Sequence, residues 1–116
     1  MHANLLQLSK KIRVGAVSYL NTKPLLYGLQ HHAVLESIEL IEDYPANLAI
    51  SLQDNAIDIG LIPVAVIPDL AESYIISDYC IGATGPVASV CIFSQVPIES
   101  IQTVYLDYQS KTSVNL

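Results

Sequence analysis

Residues 13–24, Arg-Val-Gly-Ala-Val-Ser-Tyr-Leu-Asn-Thr-Lys-Pro, pass from an apolar, β-favouring run through polar groups into a helical pattern. That order leaves few folds open. Val14, Ala16 and Val17 suit a buried strand, with Gly15 letting another backbone come close. Pro24 fits the first turn of a helix, where its missing N–H is no loss. Asn21 or Thr22 is placed to cap that turn by accepting a backbone N–H. The same N–H groups would also welcome an anion, with Lys23 beside them as a point charge. The turn is therefore either a plain helix cap or an anion site.

The alternation then repeats. Leu25, Leu26 and Leu29 recur at helical spacing, and the helix ends near His31 and His32, which read as a solvated helix end rather than as ligands. Ile38, Leu40 and Ile41 make a second strand, and Asp43-Tyr44-Pro45 a turn whose proline opens a second helix through Leu52, stopped by Asn55. Residues 57–62 form a third strand, in which Asp58 is expected to accept backbone N–H bonds at the strand entrance. Pro63 begins a short helix over 64–67, closed by Pro68. Such a rhythm predicts an α/β fold with a parallel sheet, and ligands in such sheets bind at the carboxyl ends of the strands. From Tyr74 the pattern changes to strands at 74–76, 80–82 and 87–93, separated by Gly and Pro rather than by helices. Residues 95–97 read as a hinge, 98–102 as a helical turn and 104–106 as a further strand, followed by a helix capped by Ser110 or Thr112.

Composition bounds the function. The chain has 116 residues, enough for one domain with a modest core, and 52% hydrophobic against 14% charged residues argues against disorder. A net charge of −6 disfavours nucleic acid as a partner, and it makes any anionic ligand depend on local donors. Cys80 and Cys91 have no His or further Cys at ligand spacing, so buried free thiols are expected and no metal. No apolar run has the length of a membrane span, and the first residues lack a signal-peptide core, so a cytoplasmic protein that binds no membrane is expected.

Three clusters of small polar side chains offer chemistry: Ser18, Asn21 and Thr22; Thr84 and Ser89 around Gly85-Pro86; and Ser110, Thr112 and Ser113. Two of them sit at expected helix N-termini, an arrangement that suits a small dicarboxylate if the two ends face each other. Each cluster has a plain structural reading too, as caps and a turn. Neither a Ser-His-Asp set, nor a Gly-rich phosphate loop, nor a recognisable pair of catalytic carboxylates is present.

Taken together and in order, the segments at 15–25, 43–49, 76–83, 85–90 and 105–114 resemble chorismate dehydratase of the futalosine route to menaquinone. The resemblance covers about residues 12–114. It implies the two-lobed fold of type II periplasmic binding proteins, with 1–11 a frayed lead-in, 12–94 a nearly complete first lobe, 95–103 the crossing and 104–116 the start of a truncated second lobe. It also implies cofactor-free loss of water from chorismate, giving 3-[(1-carboxyvinyl)oxy]benzoate. By the same resemblance Asn21 and Ser89 lie closest to the chemistry and Ser110, Thr112 and Ser113 bind substrate, while Ser18, Thr22, Lys23 and Thr84 are further candidates for binding it. Because family members have a completed second lobe, these residues alone are expected not to turn over chorismate, and their unpaired edges to self-associate. Rival readings are the dihydroxynaphthoate synthase of the same pathway, a solute-binding protein of a transporter and the effector domain of a transcription regulator.

Overall fold

β1 (Ile12–Val17) is the middle strand of a three-stranded parallel sheet, order β2-β1-β3, in a computed structural model that describes residues 10–88, 90–109 and 111–114. β2 (Ile38–Asp43) pairs with β1 along its whole length, from Ile12 opposite Ile38 to Val17 opposite Asp43. β3 (Ile59–Gly60) pairs on the other side, Val14 with Ile59 and Gly15 with Gly60. The α/β class read from the sequence is what forms. The third strand is shorter than the expected 57–62.

Helix α1 (Lys23–Gln30) follows β1 with Pro24 in its first turn, and α2 (Pro45–Gln53) follows β2 with Pro45 at its start. Asn55, at φ 54°, ends α2 by taking the left-handed conformation that Asn tolerates. The core is small: Val17, Leu48 and Ile57 are buried together, with Tyr19, Ile41, Leu52, Leu61 and Ile62 packed around them. A Cβ at Gly15 would meet the Ile57 Cδ1 at 2.7 Å and the Leu48 Cδ2 at 2.8 Å, whereas the nearest backbone atom, the Ile59 carbonyl oxygen, is 3.7 Å away. Close approach there is thus by core side chains, not by a neighbouring backbone as the sequence led us to expect.

At the amino end of the sheet Asp58 does what its position foretold. It accepts from the Arg13 backbone N–H at 2.8 Å and from the Arg13 guanidinium at 3.0 and 2.7 Å, while the Asp58 N–H donates to the Arg13 carbonyl at 2.9 Å. These bonds lock the start of β3 to β1. Residues Val64–Asp69 form a short 3₁₀ helix that runs past Pro68 instead of closing at it. The Leu70 N–H donates to the Ile67 carbonyl at 3.2 Å, which carries the turn past Pro68 although Pro68 has no N–H to donate itself. A further 3₁₀ turn spans Ile98–Ser100, shorter than the expected 98–102, and α3 (Lys111–Val114) closes the described chain.

The second half departs from expectation. The strands expected at 74–76, 80–82, 87–93 and 104–106 are irregular wherever those residues are described. An extended segment becomes a strand only when another strand takes its N–H and C=O groups, and no described residue does so there. Their side chains accordingly stand in solvent: Phe93 is 90% exposed and Tyr105 94%. For the same reason Cys80 and Cys91 are free and exposed, not buried. The radius of gyration, 18.8 Å, exceeds the ~13 Å of a compact chain of this length. The expected lead-in at 1–11 falls almost wholly outside the described residues.

Candidate functional site

The strand order itself selects a place. From β1 the chain moves to β2 on one side and then crosses to β3 on the other, so the connections diverge at β1. In open parallel sheets the crevice at the carboxyl ends of such diverging strands is where ligands bind. The residues leaving β1 there are Ser18, Tyr19, Leu20, Asn21 and Thr22, followed by Lys23 at the start of α1.

The turn is built in steps. The Ser18 N–H donates to the Asp43 carbonyl at 3.0 Å, which extends the β1–β2 ladder by one bond and sets the direction in which the chain leaves the sheet. A single 3₁₀ turn, Leu20–Thr22, leads into α1, with the Thr22 N–H donating to the Tyr19 carbonyl at 3.1 Å. Thr22 is buried, and its hydroxyl donates to the Asn21 side-chain oxygen at 3.5 Å. Asn21 itself is exposed. Neither residue caps the helix: Thr22 at the cap position has helical dihedrals and makes no side-chain bond to the backbone. The plain capping reading of Asn21 and Thr22 is therefore not what the structure contains, and the Asn21 amide is held by Thr22 on one side and open to solvent on the other.

The neighbouring helix start is different. Asp43 accepts from the Tyr44 N–H at 2.6 Å and from the Asn47 side-chain amide at 2.9 Å, so α2 already has a carboxylate of its own at its N-terminus. An external anion would be repelled there. Of the two helix starts on this edge, α1 is the one without a resident side-chain acceptor. Lys23, expected as a point charge for the ligand, lies 3.4 Å from Glu42, which also accepts from Gln30 at 3.3 Å. The pair is largely exposed and loosely held, so Glu42 tethers Lys23 to the rim rather than consuming its charge.

The structure also brings to this edge residues that sequence reasoning passed over. The rings of Tyr19 and Tyr44 meet at 6.3 Å and 55°, each from the segment that leaves a strand. The Tyr19 hydroxyl donates to the Gln109 side-chain oxygen at 3.4 Å, across 90 positions of chain. Burial, then Asp107, Tyr44 and Tyr108, push the Tyr19 phenol above its ordinary pKa, so it stays a hydrogen-bond donor at neutral pH. A signal was legible: one tyrosine follows each of the first two strands at its carboxyl end. Gln109 had no such signal, because its contact is remote in sequence.

The other candidates are scattered or lie beyond description. Thr84 is exposed in the irregular second half, and no hydrogen bond joins it to the Ser18–Lys23 turn. Ser113 lines an open, mainly apolar cavity of about 510 Å³ between residues 90–94 and 101–107, and Asn21 is not among the residues that line it. Ser89, Ser110 and the side chain of Thr112 fall outside the described residues. His31 and His32 act as helix-end groups, His31 stacking on Tyr27 and bonding its carbonyl at 2.8 Å, and His32 accepting from the Val34 N–H at 3.0 Å. Among the described residues there is no group of three metal-ligating side chains, and no helix is long and apolar enough to cross a membrane.

No solved structure matches the chain. A family model described as menaquinone biosynthesis matches residues 12–116, from the first residue of β1 to the last of the sequence. The chain therefore belongs to the menaquinone biosynthesis family.

Proposed function

We propose that these residues form the first lobe and the beginning of the second lobe of a chorismate dehydratase, with lobes joined through 95–103 as in type II periplasmic binding proteins. The observation that carries the reading is the exposed, uncapped Asn21 turn at the carboxyl end of β1, where the sheet's connections diverge. Family membership supplies the pathway, and the resemblance of the ordered segments from 15–25 to 105–114 supports chorismate dehydratase as the reading within it.

Chorismate is a dicarboxylate, and the chemistry asks little of an acid or base. Loss of the ring proton beside the ether oxygen, together with the hydroxyl on the adjacent carbon, releases water and leaves an aromatic ring. The driving force is large, so the protein has mainly to orient and polarise. In our reading the enolpyruvyl carboxylate of the substrate takes the proton, Asn21 fixes that carboxylate through its amide, and Ser89 assists departure of hydroxide. Ser18, Lys23 and Thr84, with Ser110, Thr112 and Ser113 from the second lobe, hold the two carboxylates and the ring, while the buried Thr22, expected as a binding residue, acts through the Asn21 amide that it holds. No cofactor enters the reaction.

The test is incubation of a protein carrying these residues and both lobes with chorismate alone, followed by chromatography. Appearance of 3-[(1-carboxyvinyl)oxy]benzoate is expected, and an analogue lacking the enolpyruvyl carboxylate should turn over poorly. Unchanged chorismate would overturn the activity, and near-normal turnover of the analogue would overturn the role given to its carboxylate.

A further inference from the structure

Three segments far apart in sequence meet at the carboxyl end of β1: the turn holding Tyr19, the turn holding Tyr44, and residues 107–109. The last of these is itself a shaped turn. The Gln109 N–H donates to the Asp107 carboxylate at 2.9 Å, and the Gln109 amide donates to the Tyr108 hydroxyl at 3.0 Å, which leaves its side-chain oxygen to accept from Tyr19 at 3.4 Å. Tyr19 and Gln109 are both half-buried, in contrast to the exposed residues 102–108 just before Gln109. The bond from Tyr19 to Gln109 ties the segment beyond residue 100 to the sheet half of the molecule.

We propose that Tyr19 and Gln109 form a clasp that sets residues 107–109 against the Ser18–Lys23 turn, and that both are positioning residues for a dicarboxylate held at that turn. The use of the clasp by a substrate rests on the dehydratase reading; its existence does not. Tyr19 is suited to the task because its ring is fixed against Tyr44 while its hydroxyl reaches outward. Gln109 is suited because its amide is pre-set by Tyr108, so its oxygen is aimed before any ligand arrives.

Hydrogen exchange on the 116-residue chain decides whether the clasp exists. In Tyr19→Phe, and in Gln109→Met, amides of 107–114 should exchange about five-fold faster, in keeping with one lost bond, while β1 and α2 keep their protection. Gln109→Glu retains an acceptor for Tyr19 but loses the donor to Tyr108, and should exchange more slowly than Gln109→Met. Unchanged exchange at 107–114 in both of the first two variants overturns the clasp. Kinetics on a two-lobed protein decide its use: each single variant should raise KM for chorismate several-fold with kcat nearly constant, and the double variant should be no worse than either. A fall in kcat at constant KM, or effects that multiply in the double variant, overturns the positioning role. A wild-type protein inert toward chorismate would refute the activity reading and leave the exchange result to judge the clasp.

Discussion

Arg13 and Asp58 show how a single pair can hold a sheet together. The Asp58 carboxylate accepts three bonds from Arg13, and those bonds, with the guanidinium charge, hold its carboxyl well below the usual carboxylate range. Folding thus lowers this pKa from an ordinary ~3.9, so the stabilisation is complete above that value and is lost as pH falls through the lower folded one. Melting temperature should therefore drop below about pH 4, and Asp58→Asn should lower it at neutral pH while flattening the acid limb. Melting curves across that range check this, and equal acid sensitivity in the variant would refute it. Asp58 was legible in the sequence because the helix-to-strand handover that positions it is local. Asn21 was legible only in part: its place at a strand end could be read, but whether it capped α1 depended on the extra 3₁₀ turn that carries Thr22 into helical dihedrals. Gln109 was not legible at all as a partner of Tyr19.

At the scale of elements, the sheet half was readable because each strand there is followed by a helical segment, the rhythm that makes a parallel sheet, whereas the pairing of β1 with the non-consecutive β3 was not legible in it. Val17, Leu48 and Ile57 form one small buried cluster in that packing, so each matters more than in a large core. Leu48, with no exposed surface, should cost about 2–5 kcal/mol on truncation to Ala, seen as a shifted denaturant midpoint. Gly15→Ala drives a methyl into Ile57 and Leu48, both themselves enclosed, and should cost about 1–3 kcal/mol by the same measurement. If either variant were neutral, the core would not lie where the contacts put it. Residues 74–76 and 104–106 have the composition of strands, yet composition does not supply the hydrogen-bonding partner a strand requires, and among the described residues none is present. That is why the second half could not be read from its sequence.

Over the whole molecule, apolar side chains such as Ile75, Ile76, Phe93 and Tyr105 stand in solvent along a shape 79 Å in its longest extent. Surfaces of that kind seek cover, so the 116-residue chain should self-associate; light scattering giving a monodisperse monomer at high concentration would contradict this. The sheet half meanwhile presents one edge where strands end, helices begin and Asn21 is exposed, and the proposed activity stands on that edge. Ser89→Ala is expected to lower kcat as Asn21→Ala does, but Asn21 is the residue whose setting is described. The most direct measurement is kcat for chorismate dehydration, with melting temperature, in a two-lobed protein bearing Asn21→Ala. Asn21 caps no helix here and is exposed, so a melting temperature within a degree or two of wild type and a kcat reduced on the order of a hundredfold are expected. A variant that melts several degrees lower yet keeps kcat within a few-fold would show Asn21 to be structural and would refute its place in the chemistry.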